Sequence, residues 1–186
     1  NPYYLQVKSA GNDRNDNGPG AGGGHYYINP STQNWSWSTA TRDPDGPWDC
    51  LGTTSVGKNT LVVAATEDVI GGYSGPGSVT DAYFSSTGPT DDGRIKPDVA
   101  GNGWELYSSI DGSNSDYYTL SGTSMSSPNV TGSLGVLIQH WRATHSGMGD
   151  MRSSTLKGLV LHTADECGSY DGPDYRFGWG LMNTKS

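Results

Sequence analysis

Ser124 is the residue whose setting most suggests chemistry. It lies in Ser121-Gly122-Thr123-Ser124-Met125-Ser126-Ser127-Pro128, a string of small residues that opens a long apolar stretch. Proline is tolerated in the first turn of a helix, so Pro128 fits a helix beginning near Ser124. A serine at such a start sits in the positive partial field of the helix, with unpaired backbone N–H groups beside it. That setting stabilises a serine alkoxide or a tetrahedral oxyanion, and Gly122 lets a substrate backbone approach. An isolated serine in the same place is ordinarily only a helix cap, so the motif needs support from the rest of the chain.

Other motif matches fail on their chemistry. Gly52-Thr53-Thr54-Ser55-Val56-Gly57-Lys58 fits a phosphate-binding loop up to Lys58, but Asn59 replaces the hydroxyl residue that would hold magnesium. That stretch also leads into a strand, whereas the motif must open a helix. Gly18, Gly20 and Gly23 match G-x-G-x-x-G, with no helix following. His140 and His145 are five apart, about 140° around a helix, so they do not share a metal. Asp13, Asn15, Asn17 and Gly18 match the first half of a calcium loop, but its twelfth position is Gly24 rather than Glu. Asp43, Asp45 and Asp49 form a second acidic cluster, so a structural calcium is the one metal left open. The sequon Asn34-Trp35-Ser36 carries only background weight.

The elements that would position Ser124 follow from hydrophobic period. Residues 3–8 (YYLQVK) read as a strand ending at Ser9-Ala10-Gly11-Asn12. A long polar loop rich in Gly and Asp is expected over 13–59. The continuous apolar run Leu61-Val62-Val63-Ala64-Ala65 reads as a buried strand. Residues 79–86 and 105–110 read as further strands. The helix from about Ser124 to His145 carries Val130, Leu134, Leu137, Ile138 and Trp141 on one face, with Gly132 and Gly135 allowing close packing. A second helix is expected over 154–164, capped by Ser153 or Ser154, with Leu156, Leu159, Val160 and Ala164 inward. Strands followed by helices indicate a layered α/β domain.

Composition narrows the function. The 186 residues suffice for one domain, and six Trp and eleven Tyr supply burial that the 32 % apolar content understates. Gly and Pro make up about a fifth of the chain, short of the low-complexity range. The net charge of −8 argues against a nucleic-acid partner. Sixteen of the nineteen acidic residues are Asp, which places the charge in loops and turns. No run of 18 apolar residues exists, so no membrane span is expected. The chain opens Asn1-Pro2-Tyr3 without a signal peptide, as a piece of a longer precursor would. Cys50 and Cys167 either pair, in an oxidising compartment, or remain two buried thiols.

The whole string around Ser124 resembles the nucleophile signature G-T-S-M-[AS]-[SA]-P of the subtilisin-like serine proteases, and other stretches agree in order. Ala10-Gly11-Asn12 is similar to the family's A-G-N. Residues 61–65 resemble its strand before the second half of the sheet. The run from Phe84 to Pro89, then Asp92 to Asp98, resembles its F-S-S-x-G-P-T-x-D-G-R-I-K-P-D segment, and 175–183 resembles its closing Y-G-x-G-x-x-N. The resemblance spans about residues 4 to 183. It departs at Gly101-Asn102-Gly103, where the family has A-P-G.

This resemblance implies the C-terminal portion of one subtilisin-like catalytic domain, a mostly parallel sheet flanked by helices and incomplete on its N-terminal side. It implies a secreted endopeptidase working through an acyl-enzyme. Ser124 would be the nucleophile, and Asn12 with the Ser124 N–H would hold the oxyanion. Ser9, Ala10 and Gly11 would line one wall of the pocket for the residue before the cut, with Gly122 and Thr123 also at the substrate. The triad order Asp, His, Ser puts the other two members upstream, so the missing N-terminal part of the domain becomes a partner beside the polypeptide substrate. His25, His140, His145 and His162 lack the family's context for the base. The chemistry itself calls for no cofactor. The alternatives are a catalytically incomplete fragment or a pseudoprotease that binds without cutting. An esterase would need G-x-S-x-G, and Gly72-Tyr73-Ser74-Gly75-Pro76 fails at Pro76.

Overall fold

The computed structural model describes residues 1–15, 24–39 and 48–185. In chain order these form β1 (Val7–Ser9), β2 (His25–Ile28), β3 (Trp35–Ser38), β4 (Leu61–Thr66), β5 (Val99–Asn102), β6 (Leu106–Ser109), β7 (Tyr117–Leu120), α1 (Thr123–Thr144) and α2 (Ser153–His162). A three-residue 3₁₀ turn, Pro76–Ser78, precedes β5.

The centre is a parallel sheet in the order β1-β4-β5. Val7 pairs with Leu61 and Ser9 with Val63; Val63 pairs with Val99 and Thr66 with Asn102. All six residues of β4 are buried, as a strand covered on both faces requires, and this explains its unbroken apolar run. Its side chains alternate between two clusters. Leu61 and Val63 join Val99, Val130 and Leu134 of α1, and Leu156 and Val160 of α2. Ala64 joins Ala100, Val79, Cys167 and Phe177. Burying each Val or Leu contributes roughly 1.5–3 kcal/mol, so this strand and the α1 stripe anchor the domain.

The expected α/β layering is present, and several elements differ in detail. The first strand begins at Val7 because its partner begins at Leu61; Tyr3 and Tyr4 lie exposed. The 13–59 segment is not loop throughout: β2 and β3 pair antiparallel across the turn 29–34, in which Gln33 has φ 56°. Residues 79–86 make a single bridge, Thr66 with Asp81, rather than a strand. Ser85 Oγ, not a backbone carbonyl, accepts from the Ala65 N–H at 3.0 Å, which ends the ladder there. The 105–110 strand is β6, antiparallel to β7, and begins after Glu105, whose φ is 52°.

The helices also carry corrections. Pro128 is the sixth residue of α1, beyond its first turn; having no N–H, it cannot bond the Ser124 carbonyl. The space beside Gly132 and Gly135 is open within 4 Å, so neither glycine mediates close packing here. Helix α2 starts after Arg152 with no side-chain cap, and Leu159 faces outward, 37 % exposed. No disulfide joins Cys50 and Cys167, which leaves the second of the two alternatives, a pair of thiols. Cys50 Sγ accepts from the Thr87 N–H at 3.2 Å, while Cys167 Sγ donates to the Asp165 carbonyl at 3.3 Å. Burial pushes the Cys167 thiol up to about 12.

Candidate active site

In a parallel sheet, ligands gather at the carboxyl ends of the strands. Here β1 runs into Asn12, β5 into Gly103, and α1 starts between them. Gly103 has no room for a side chain: an added Cβ would stand 2.7 Å from Ala65 Cβ and 2.8 Å from the Gly122 carbonyl oxygen. Its N–H donates to Thr66 and its carbonyl accepts from Gly122, which fixes the start of α1 against the sheet. Asn102 makes bonds a proline could not. Its Nδ2 donates to Asp68 Oδ1 and its Oδ1 accepts from the Trp104 N–H, both at 3.2 Å.

Thr123 ties the two halves together. Its N–H and its hydroxyl both donate to Asn12 Oδ1 at 2.9 Å, and the hydroxyl accepts from the Gly11 N–H at 3.2 Å. One hydroxyl can donate once and accept in addition, so this set is satisfied. Because Oδ1 is held by Thr123, the amide must turn Nδ2 the other way. A Cβ on Gly122 would lie 3.4 Å from Nδ2, so that donor stands beside the helix start. Among the described residues it donates to nothing. Gly11 has φ +121°, and a Cβ there would come within 2.6 Å of Ser86 Oγ, so only glycine carries the chain through this turn.

Ser124 is exposed, and neither its N–H nor its Oγ has a protein partner among the described residues. It opens onto a cleft of about 340 Å³ between α1 and the β6–β7 hairpin, walled by Leu106, Ile110, Tyr118, Leu120, Met125 and Pro128. The structure therefore brings together Asn12, Gly11, Gly122, Thr123 and Ser124. Ala10 is wholly buried, its N–H on Val63 and its carbonyl on Gly52. Ser9 accepts from Ser55 Oγ at 2.6 Å. Thr123 is 1 % exposed, with its polar atoms occupied as described. Of the histidines, His145 stacks on Trp141 at 3.8 Å and bonds Thr144, and His162 lines a separate cleft with Glu166 and Trp179. His140 is exposed on α1. None of these three bonds Ser124; the side chain of His25 lies outside the described residues.

The described residues contain no group of three or more His, Cys, Asp or Glu able to hold a metal. Asn17, Gly18, Asp43 and Asp45 of the calcium candidates lie outside the described residues, as do Gly18, Gly20 and Gly23 of the glycine match. Asn15 Nδ2 donates to the Tyr83 carbonyl at 2.9 Å.

Sequence reasoning missed a charged cluster at the opposite ends of the strands. Asp98 Oδ2 accepts from the Val62 N–H at 2.7 Å and from Lys96 Nζ, while Oδ1 pairs with Lys157 at 2.9 Å. Burial lowers Lys96 to about 8, opposed by Asp98 and assisted by Lys157.

A model of the subtilase family matches residues 4–180. The chain belongs to the subtilase family. Relatives of this subtilase include the C5a peptidase of Streptococcus pyogenes serotype M3, 41 % identical over 104 residues, covering 56 % of this chain and 8 % of that protein. Pyrolysin of Pyrococcus furiosus is 42 % identical over 66 residues, covering 36 % of this chain and 5 % of pyrolysin. Among solved structures, the self-cleaved protease domain of PatA has a TM-score of 0.61 at 19 % identity, over 97 % of this chain and 47 % of its own. The Clostridium perfringens CspB protease has a TM-score of 0.62 at 19 % identity, over 82 % and 32 %. These structures share the fold. The chain spans less than a tenth of the curated relatives it matches.

Proposed function

We propose that this chain supplies the nucleophile and oxyanion half of a serine endopeptidase that cleaves polypeptides through an acyl-enzyme. Ser124 Oγ attacks the scissile carbonyl, and Asn12 Nδ2 with the Ser124 N–H receives the developing oxyanion. Thr123 acts as a positioning residue: it holds Asn12 Oδ1 and so aims Nδ2. Ser9 and Gly11, together with Gly122, form the wall beside the acyl part of the substrate, with the wholly buried Ala10 behind them as support. The base and its carboxylate come from residues outside these 186, in the N-terminal part of the same domain. The protein acts outside the cell, as the family resemblance implies.

The observation that carries this reading is the double acceptance by Asn12 Oδ1 from Thr123, next to an exposed Ser124 that has no protein partner among the described residues. The experiment is labelling by a serine-directed fluorophosphonate. The active protein labels at Ser124, and Ser124→Ala does not; equal labelling of both removes Ser124 from the chemistry. A second reading, a domain that binds without cutting, draws on the absence of a base on Ser124 among the described residues. It predicts no labelling even with the N-terminal part present. The 186 residues alone are expected to be silent toward peptides, with hydrolysis returning when that part is added.

A further inference from the structure

Thr123 holds the Asn12 amide, but it does not hold the backbone beneath it. The N–H and carbonyl of Asn12 itself bond nothing among the described residues. The place of Asn12 is therefore set by the residues on either side, and one residue 73 positions beyond Asp13 reaches both. The Ser86 N–H donates to the Gly11 carbonyl at 2.9 Å. Ser86 Oγ accepts from the Asp13 N–H at 3.0 Å. Ser86 is 0 % exposed, so it cannot itself touch a substrate.

Resting on the peptidase reading, we propose that Ser86 is a positioning residue that fixes the backbone under the oxyanion donor Asn12, as Thr123 fixes its amide. An oxyanion donor works only when it stands about 2.7–3.1 Å from the oxygen that becomes charged. Gly11 lets the chain turn at φ +121°, but glycine is the residue with the most backbone freedom, so it permits the turn without holding it. Ser86 supplies the hold. Its Oγ also fills the space beside Gly11, 2.6 Å from where a Cβ would stand. Removing Oγ removes the bond to Asp13 and this packing together.

The chain just past Asn12 is anchored independently. Arg14 pairs with Asp81, and the Arg14 N–H donates to the Phe84 carbonyl at 3.4 Å. Loss of the Ser86 hydroxyl therefore loosens the turn at Asn12 without freeing the segment that follows. The neighbouring serine gives the contrast. Ser85 is also buried, at 2 % exposed, and its Oγ also accepts from a backbone N–H, that of Ala65 at the end of β4. The two side chains have the same chemistry and the same burial. Ser85 Oγ bonds the sheet, and Ser86 Oγ bonds the turn that carries Asn12.

The test is a double-mutant cycle in the active protease, with its N-terminal part present. Ser86→Ala, Asn12→Ala, the two combined, and Ser85→Ala are assayed on a chromogenic tetrapeptide, and Tm is measured for each. Ser86→Ala is expected to lower kcat about tenfold through a small misplacement of the donor, with KM unchanged. Once Asn12 is already Ala, adding Ser86→Ala should change kcat by less than about twofold, because the two residues act as one unit. Ser85→Ala should lower Tm and leave kcat as it was. Losses that multiply in the double variant, a loss carried by KM, or an equal loss of kcat in Ser85→Ala overturn the proposal. If Ser86→Ala does not fold, Ser86→Cys replaces it, filling the space with a weak acceptor, and the same outcomes decide. If the unsubstituted protein does not label at Ser124, the peptidase reading falls separately. The ¹⁵N order parameter of the Asn12 side-chain amide then decides positioning: a lower value in Ser86→Ala upholds it, and an unchanged value overturns it.

Discussion

The parallel strands carry a polar cluster at each end, built on opposite terms. At the carboxyl ends, Asn12 and Ser124 keep donors that bond nothing among the described residues. At the amino ends, Asp98 engages the Val62 N–H, Lys96 and Lys157, while the two lysines also reach the Thr60 carbonyl at 3.0 and 2.8 Å. A buried charge left unpaired is costly, so the closed cluster holds the structure. Donors left open toward a cleft cost little while water reaches them, and they are available to charge that develops later. Unspent hydrogen-bonding capacity thus separates a candidate site from a structural cluster, even where both are polar.

The comparison breaks first at Ser124. Ser124→Ala is expected to abolish hydrolysis in the active protein while leaving Tm within about 2 °C, read by peptide assay and calorimetry. A large loss of Tm would make the open end structural as well. The reverse is expected at Asp98. Asp98→Ala leaves the buried Lys96 and the half-buried Lys157 without their carboxylate and should cost about 3–5 kcal/mol, seen as a lower midpoint in urea. Activity per folded molecule stays the same.

Asn12→Ala is expected to lower kcat on the order of 10²–10³-fold with little change in KM. That is the size of effect known for an oxyanion-hole asparagine in subtilisin, a member of the same family. A change confined to KM would move Asn12 to substrate binding.

The smallest effect is the pH dependence at the closed end. Lys96 is held near 8 in the folded chain against 10.5 for an ordinary lysine. The unfolded chain therefore binds more protons between those values, and stability rises with pH across them. The thiol of Cys167, raised from 9.0 to about 12, acts the other way above pH 9. Between pH 8 and 9 the Lys96 effect exceeds that of the thiol, which is only partly ionised in the unfolded chain there, and Lys96→Met should remove the rise in the urea midpoint.

What was legible in the sequence was whatever buries a regular pattern. The continuous run of β4 and the stripe of Val130 and Leu134 on α1 could be read because both faces of one and a single face of the other meet the core. The string around Ser124 was legible as chemistry because its residue types are specific together. Strands β3 and β7 were not, for the opposite reason: all four residues of β7 are exposed, and β3 turns its tryptophans to solvent. Exposed pairing leaves no burial period to detect. Leu159 looked inward by spacing but lies at the edge of the α2 stripe. The Asp98 cluster depends on Lys157, far along the chain, so only the fold assembles it. Asn12 entered through family resemblance, and its role as the acceptor that fixes Thr123 is visible only in three dimensions.

The bond from Thr123 to Asn12 spans 111 residues of chain. Closing a loop of that size carries a length-dependent entropy cost of about 4 kcal/mol, recovered only once β4, β5 and α1 have packed between its ends. Contacts of such long range form slowly. The donor beside Ser124 is therefore aimed late, after the sheet exists. A chain emerging from the ribosome, or one only partly collapsed, carries the serine without the geometry to use it.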